Sequence, residues 1–167
     1  MTLRVEPLDK GHDLSTFTCG NAELDEWLRA HALTATGHGT RTYVVVDDDN
    51  EVVAYFAIAP HILDREDAPK RIARGAPRQI PAILLAKLAL STDVQGQGLG
   101  SELLVRALHT IVDAARSAGG KLVVVDAIDD EAAAFYRHHD FVPVPQRPDR
   151  LVMKMSTAAK ALGIAWP

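Results

Sequence analysis

The stretch DVQGQGLGSELL, residues 93–104, sets Gly96, Gly98 and Gly100 at alternate positions directly ahead of an apolar repeat. Upstream, AILLAKLAL (82–90) is an apolar run that hardly alternates, which predicts a strand buried on both faces. Downstream, Leu104, Leu108, Ile111 and Ala115 recur at steps of four, three and four, which predicts an amphipathic helix ending at Gly119 and Gly120. A strand, a glycine loop and a helix in that order aim free backbone N–H groups, and a partial charge of about +0.5, at an anion. Glycine lets the backbone approach phosphate oxygens where a Cβ would collide.

The residues narrow the choice of phosphate. A nucleoside triphosphate loop ends in Gly-Lys-Ser/Thr, and no lysine stands between Lys87 and Lys121. A dinucleotide loop, Gly-x-Gly-x-x-Gly, started at Gly96 would end on Ser101, which is neither Gly nor Ala. Asp126 could serve as its ribose-binding acid, but it lies 26 residues past Gly100, and the loop comes at mid-chain instead of opening it. A dinucleotide and a ligand-free turn both stay open at this level, although three glycines carry an entropy cost that a plain turn avoids.

Outward from the loop, elements alternate between strand and helix. Residues 3–8 predict a first strand, and a helix follows Asn21 as N-cap, with Leu24, Trp27 and Leu28 on one face. TYVVVDDDNEVVAYFAIAP (42–60) is a hairpin turning at 47–50. Pro69, Gly75 and Pro77 break regular structure across 64–81, leaving a long loop or a short helix. KLVVVDAI (121–128) reads as a second buried strand and DDEAAAFYRHH (129–139) as a short helix. FVPVP (141–145) and RLVMKM (150–155) close the chain as strands, with the prolines holding the first at an edge.

At 167 residues the chain is long enough for one domain, residues 1–167, burying roughly 70% of its unfolded surface. It has no run of 18 apolar residues and no basic-then-apolar leader, so neither a membrane span nor export is expected. Cys19 is the one cysteine; it offers no internal disulfide and no metal-site spacing, consistent with a reducing cytoplasm. No metal is expected, and Cys19 reads as a small buried hydrophobe. His138 and His139 read as surface near a helix C-terminus. A net charge of −4 argues against a wholly nucleic-acid-binding surface. Lys70, Arg71, Arg74 and Arg78 nonetheless form a local basic cluster without an acid among residues 69–79. With Arg41 they are candidates for RNA phosphates or, equally, a solvated face.

Gln95 to Gly100, Q-G-Q-G-L-G, resembles the Gln/Arg-x-x-Gly-x-Gly/Ala loop of the GCN5-related N-acetyltransferase (GNAT) family, and the order of elements around it matches. DDEAAAFYRHHDF (129–141) is similar to that family's Asn-x-x-Ala-x-x-x-Tyr-x-x-x-Gly-Phe helix, with Asp129 for Asn and Asp140 for Gly. The resemblance implies an α/β GNAT fold with a mixed, mostly antiparallel sheet of six to seven strands, flanked by helices and splayed between the fourth and fifth. It implies acetyl-CoA as co-substrate. Its pyrophosphate would be held at Gln95, Gly96, Gln97, Gly98, Leu99, Gly100 and Ser101. Its pantetheine arm would lie along Leu88, Ala89 and Leu90, with contacts from Asp129 and Ala132. Tyr136 would be the acid for the departing thiolate; Asp129 in place of Asn puts its own contact in question.

Residues 17–32, 39–47, 52–60 and 83–90 are further similar to the acetyltransferase toxins of bacterial toxin–antitoxin pairs, with Lys87 where these often carry Arg. This implies the α-amine of aminoacyl-tRNA as acceptor, inhibition of translation, a ribbon-helix-helix antitoxin as partner and a homodimer. A small-molecule amine or a protein N-terminus as acceptor, or a non-catalytic acetyl-CoA-binding module, are the alternatives. No convincing general base is legible. At pH 7, deprotonating a lysine of pKa about 10.4 costs about 4 to 5 kcal/mol, whereas an α-amine of pKa about 7.7 to 8.0 costs about 1. The missing base therefore agrees with an α-amine acceptor.

Overall fold

The computed structural model describes residues 2–167. In chain order the elements are β1 (Arg4–Pro7), α1 (Ala22–Glu26), α2 (Ala32–Thr36), β2 (Arg41–Val46), β3 (Val52–Asp64), α3 (Lys70–Ala73), β4 (Gln79–Leu90), α4 (Leu99–Ala118), β5 (Leu122–Asp126), α5 (Asp130–His138), β6 (Val142–Val144), β7 (Arg147–Lys154) and α6 (Met155–Leu162). The strands form a seven-stranded sheet ordered β1-β2-β3-β4-β5-β7-β6. β4 and β5 run parallel, whereas β1–β2, β2–β3, β5–β7 and β6–β7 are antiparallel. This is the mixed, mostly antiparallel sheet expected, with the proline-containing β6 at an edge.

Two compact units divide the chain. One holds the residues up to Ala59 and Ala86–Ala107; the other holds Pro60–Leu85 and Leu108–Pro167. In the first, Phe17, Leu28, Ala32, Val44, Tyr55 and Ala89 form a core between the α1–α2 segment and the strands. Asn21 caps α1 as expected, its side chain accepting from the Leu24 N–H at 3.1 Å. Trp27–His31 forms a π turn joining α1 to α2, in which the Ala32 N–H reaches back to the Trp27 carbonyl. The fully buried Tyr55 hydroxyl donates to the Leu24 carbonyl at 2.7 Å in the turn just before this widening. The Tyr55 ring stacks on Trp27 (6.1 Å, 12°) and meets Phe17 edge-on.

In the second unit, Leu63, Ile80, Ala82, Leu122, Val124 and Val152 form an apolar core, and Ala68, Ile72 and Ala76 of the 64–81 segment pack onto it. That segment contains a single 3-10 turn (Arg65–Asp67) and α3, in line with its prolines and glycine. β5 is buried from Leu122 through Val125.

Two expectations need correction. Residues 82–90 are not buried on both faces: the strand starts earlier, at Gln79, and along it Ile83, Leu84, Ala86, Lys87, Leu88 and Leu90 are only half-buried. The physical reason lies in the ladder. β4 pairs with β5 only from Ala82↔Leu122 to Leu85↔Val125, and residues 86–90 run on beyond that pairing. Met155 does not end a strand; it opens α6, to which no element was assigned, and which closes on Gly163 in the left-handed conformation (φ +69).

Removing the Tyr55 hydroxyl leaves a lone pair of the Leu24 carbonyl buried without its donor. Tyr55→Phe is expected to lower the unfolding free energy by about 1 to 2 kcal/mol, read from urea midpoints at constant m-value. An unchanged midpoint would show that this bond does not hold the helix against the sheet.

Candidate active site

Past β4, the Ser91 N–H is tied to the Val53 carbonyl at 2.8 Å and the Thr92 N–H to the Thr18 carbonyl at 2.9 Å, and a 3-10 turn (Thr92–Val94) leads into the glycine loop. Gly96 (φ +78) and Gly98 (φ +75) take the left-handed conformation that disfavours other residues, and a Cβ built on either meets nothing within 4 Å. Backbone geometry, not crowding by the protein, is what demands glycine there, and the loop's surface is open to a ligand. Gly100 already lies inside α4, which starts at Leu99 and runs for 20 residues. A helix of that length directs its first-turn N–H groups and the positive end of its dipole outward through the loop.

The Gln95 side chain makes two hydrogen bonds within the protein. Its Nε2 donates to the Cys19 carbonyl at 2.9 Å and to the Leu90 carbonyl at 2.8 Å, pinning the loop to the end of β4 and to the segment that leads into α1. Cys19 itself is half-buried, and burial next to Asp25 pushes its thiol up to about 11, so it is a protonated thiol at neutral pH. Asp25 anchors the same corner, accepting from the Cys19 N–H at 2.9 Å and the Thr18 hydroxyl at 3.1 Å. Ala89 packs in the first core, and Leu88 and Leu90 are half-buried. The Lys87 ammonium sits 5.4 Å from the centre of the Trp27 ring, a cation–π contact that the sequence did not disclose.

The remaining predicted residues lie in the second unit, apart from Arg41. Tyr136 on α5 is buried between Phe135 (5.4 Å) and Phe141 (5.5 Å), both edge-on. Burial pushes its hydroxyl far above the ordinary tyrosine value, so it carries its proton at neutral pH. No hydrogen-bond partner for that hydroxyl occurs among the described residues, although a buried tyrosine usually has one. Asp129 accepts from the Ala132 N–H at 2.8 Å as N-cap of α5, so both residues already serve the start of that helix. Asp140 takes the left-handed conformation (φ +71) where the family pattern has Gly, an exchange that aspartate tolerates better than most residues.

Lys70, Arg74 and Arg78 line one open cavity of about 820 Å³ together with Arg65, Asp64 and Glu66. Arg71 faces elsewhere, into a smaller cavity with Asp140 and Val142. Arg41, at the start of β2 in the first unit, donates to the Thr36 carbonyl at 3.0 Å and so closes the end of α2. Among the described residues no group of three His, Cys, Asp or Glu side chains is gathered as a metal site, and no helix is long and apolar enough to cross a membrane.

Sequence reading missed a polar cluster built from three strands. Arg150 of β7 makes a bidentate ion pair with Asp126 of β5 (Nε–Oδ1 2.7 Å, Nη2–Oδ2 2.8 Å), and its Nη1 lies 2.9 Å from Nε2 of His61 on β3. Arg150 holds the Asp126 carboxyl below the usual carboxylate range. His61 and Arg150 are 89 residues apart, and no local pattern announces such a contact.

The model of the family described as "Acetyltransferase (GNAT) domain" matches residues 39–143. Over 151 residues the chain is 39% identical to a tRNA-acetylating toxin of Mycobacterium tuberculosis (strain ATCC 25618 / H37Rv), covering 90% of this chain and 91% of that protein. Among solved structures, a KacT mutant superposes with a TM-score of 0.88 at 23% identity, covering 96% of this chain and 99% of that one. AtaT complexed with acetyl-methionyl-tRNAfMet gives 0.86 at 24% identity, with coverage of 96% and 99%. At that identity the superpositions speak for the fold alone. By sequence over most of its length and by fold, this chain belongs to the GNAT family of acetyltransferases.

Proposed function

We propose that the protein transfers the acetyl group of acetyl-CoA to the α-amine of aminoacyl-tRNA and so blocks translation as the toxin of a toxin–antitoxin pair. The observation that carries this reading is the 39% identity, over nine-tenths of the chain, to a tRNA-acetylating toxin. Its setting would be the cytoplasm, its partners a ribbon-helix-helix antitoxin and a second copy of the chain. AtaT, of the same fold, has been seen with the C-terminus of its antitoxin and with acetyl-methionyl-tRNAfMet.

The residues fit acetyl-CoA. Gly96 and Gly98 leave the loop surface clear, and the N–H groups at the start of α4 face where a pyrophosphate would be held. The backbone of residues 88–90, past the last β4–β5 pair, is disposed to pair with the pantetheine arm and to donate to the oxygen of the thioester carbonyl as negative charge develops there. Nitrogen attacks the carbonyl carbon, the C–S bond breaks, and the thiolate takes the proton that burial keeps on Tyr136. The proton leaving the amine passes to solvent, which an α-amine of pKa about 8 permits without a strong base. Lys70, Arg74 and Arg78, sharing one cavity, would meet RNA phosphates and bind less tightly as salt rises.

Incubation with acetyl-CoA and a mixture of charged tRNAs, followed by nuclease digestion and mass spectrometry, is expected to yield N-acetylaminoacyl-adenosine. Acetylated polyamines or peptides, with charged tRNA untouched, would contradict the acceptor. Tyr136→Phe is expected to lower kcat by about 10²-fold or more with KM for acetyl-CoA unchanged, the loss typical of a missing general acid. An unaltered kcat would remove Tyr136 from the chemistry.

A further inference from the structure

The His61–Arg150–Asp126 cluster is unused by the reaction as described, and its geometry fixes a proton. Arginine has no lone pair and keeps its charge in proteins, so the 2.9 Å contact between its Nη1 and His61 Nε2 is a bond that the imidazole accepts. Nε2 is therefore unprotonated, and the ring proton resides on Nδ1. An imidazolium would set two donors against each other. Asp126, beyond Arg150, and Arg150 itself are the charged groups that bear on the ring; burial and the arginine together hold the imidazole below its usual pKa. Nδ1 has no hydrogen-bond partner among the described residues, and His61 is only half-buried, which leaves that N–H available to a ligand.

The position of the cluster suits a substrate. Asp126 directly follows Val125, whose pairing with Leu85 is the last rung between β5 and β4. Side chains from β3, β5 and β7 thus converge where the parallel ladder ends. The cluster is electrically balanced: Arg150 and Arg147 face Asp126 and Asp149, with Arg147 at 3.6 Å and 3.5 Å from the two carboxylates. A balanced site with one outward N–H suits a neutral oxygen better than a phosphate, which the basic cavity would draw instead.

We propose that His61, locked by Arg150 with its proton on Nδ1, positions the acceptor by donating a hydrogen bond to the carbonyl oxygen of its aminoacyl ester. This rests on aminoacyl-tRNA being the acceptor. Asp126 acts through Arg150 by fixing the guanidinium where Nη1 meets the ring nitrogen, and Arg150 acts through His61; both are positioning residues.

Two variants and one spectrum test it. His61→Met removes the donor while leaving Arg150 tied to Asp126, and it is expected to lower kcat/KM for charged tRNA about tenfold, the worth of one hydrogen bond. KM for acetyl-CoA should not change, while the melting temperature falls modestly because Arg150 Nη1 loses its acceptor. His61→Gln, which can accept from Arg150 through Oε1 and donate through Nε2, should restore most of the loss. ¹⁵N spectra at pH 7 should show His61 neutral and protonated on Nδ1. Unchanged kinetics in His61→Met, an equal loss in acetyl-CoA binding, no rescue by Gln, or a ring protonated on Nε2 would each overturn the proposal. A wild-type enzyme inactive on charged tRNA would overturn the acceptor and this proposal together, whereas an active wild type with an indifferent His61→Met overturns this proposal alone.

Discussion

The parallel ladder between β4 and β5 stops at Leu85 opposite Val125, while β4 runs on to Leu90. A parallel strand normally keeps both edges paired, because unpaired N–H and C=O groups next to a core are costly. Here the unpaired stretch is followed at once by a loop whose two left-handed glycines feed the N-terminus of a 20-residue helix. Strand edge and loop are tied by one side chain, since Gln95 bonds the Leu90 carbonyl and the Cys19 carbonyl. Side chains thus hold this backbone in place, and the binding proposed for the site falls to the backbone.

Charge is distributed with the same economy. Tyr136, buried among aromatic rings, keeps its proton; Cys19, beside a carboxylate, keeps its own. Four basic side chains, Arg65, Lys70, Arg74 and Arg78, share one open cavity with Asp64 and Glu66, while the cluster around Asp126 and Arg150 balances to zero. The proposed α-amine acceptor needs little help in deprotonation, and the groups proposed to act on it are donors: backbone N–H for the oxygen, a tyrosine hydroxyl for the sulfur, an imidazole N–H for the acceptor.

Much of this was legible because it is local. Glycines at alternate positions before a step of four, three and four read as loop and helix, Asn21 read as an N-cap, and the Asp/Asn run at 47–50 read as a hairpin turn; each depends on neighbours a few residues away. The burial of β4 was misread because apolar content reports what a strand contains, not how far its partner extends. The basic cluster read as one unit, yet Arg71 faces a different cavity from Lys70, Arg74 and Arg78, since the short helix α3 turns successive residues to different sides. The His61–Arg150–Asp126 cluster was invisible because strands far apart in sequence supply it. The bond from the Gln95 side chain to the Cys19 carbonyl was invisible for the same reason, since 76 residues separate the two.

The claim on which the rest depends is that the edge of β4 past Leu85 and the glycine loop together hold acetyl-CoA. Hydrogen–deuterium exchange with and without acetyl-CoA tests it most directly. The account predicts slowed exchange at the amides of residues 88–90 and 96–101, with the far ends of β1 and β6 unaffected. Tight binding of acetyl-CoA that leaves those amides exchanging at their free rates would contradict it.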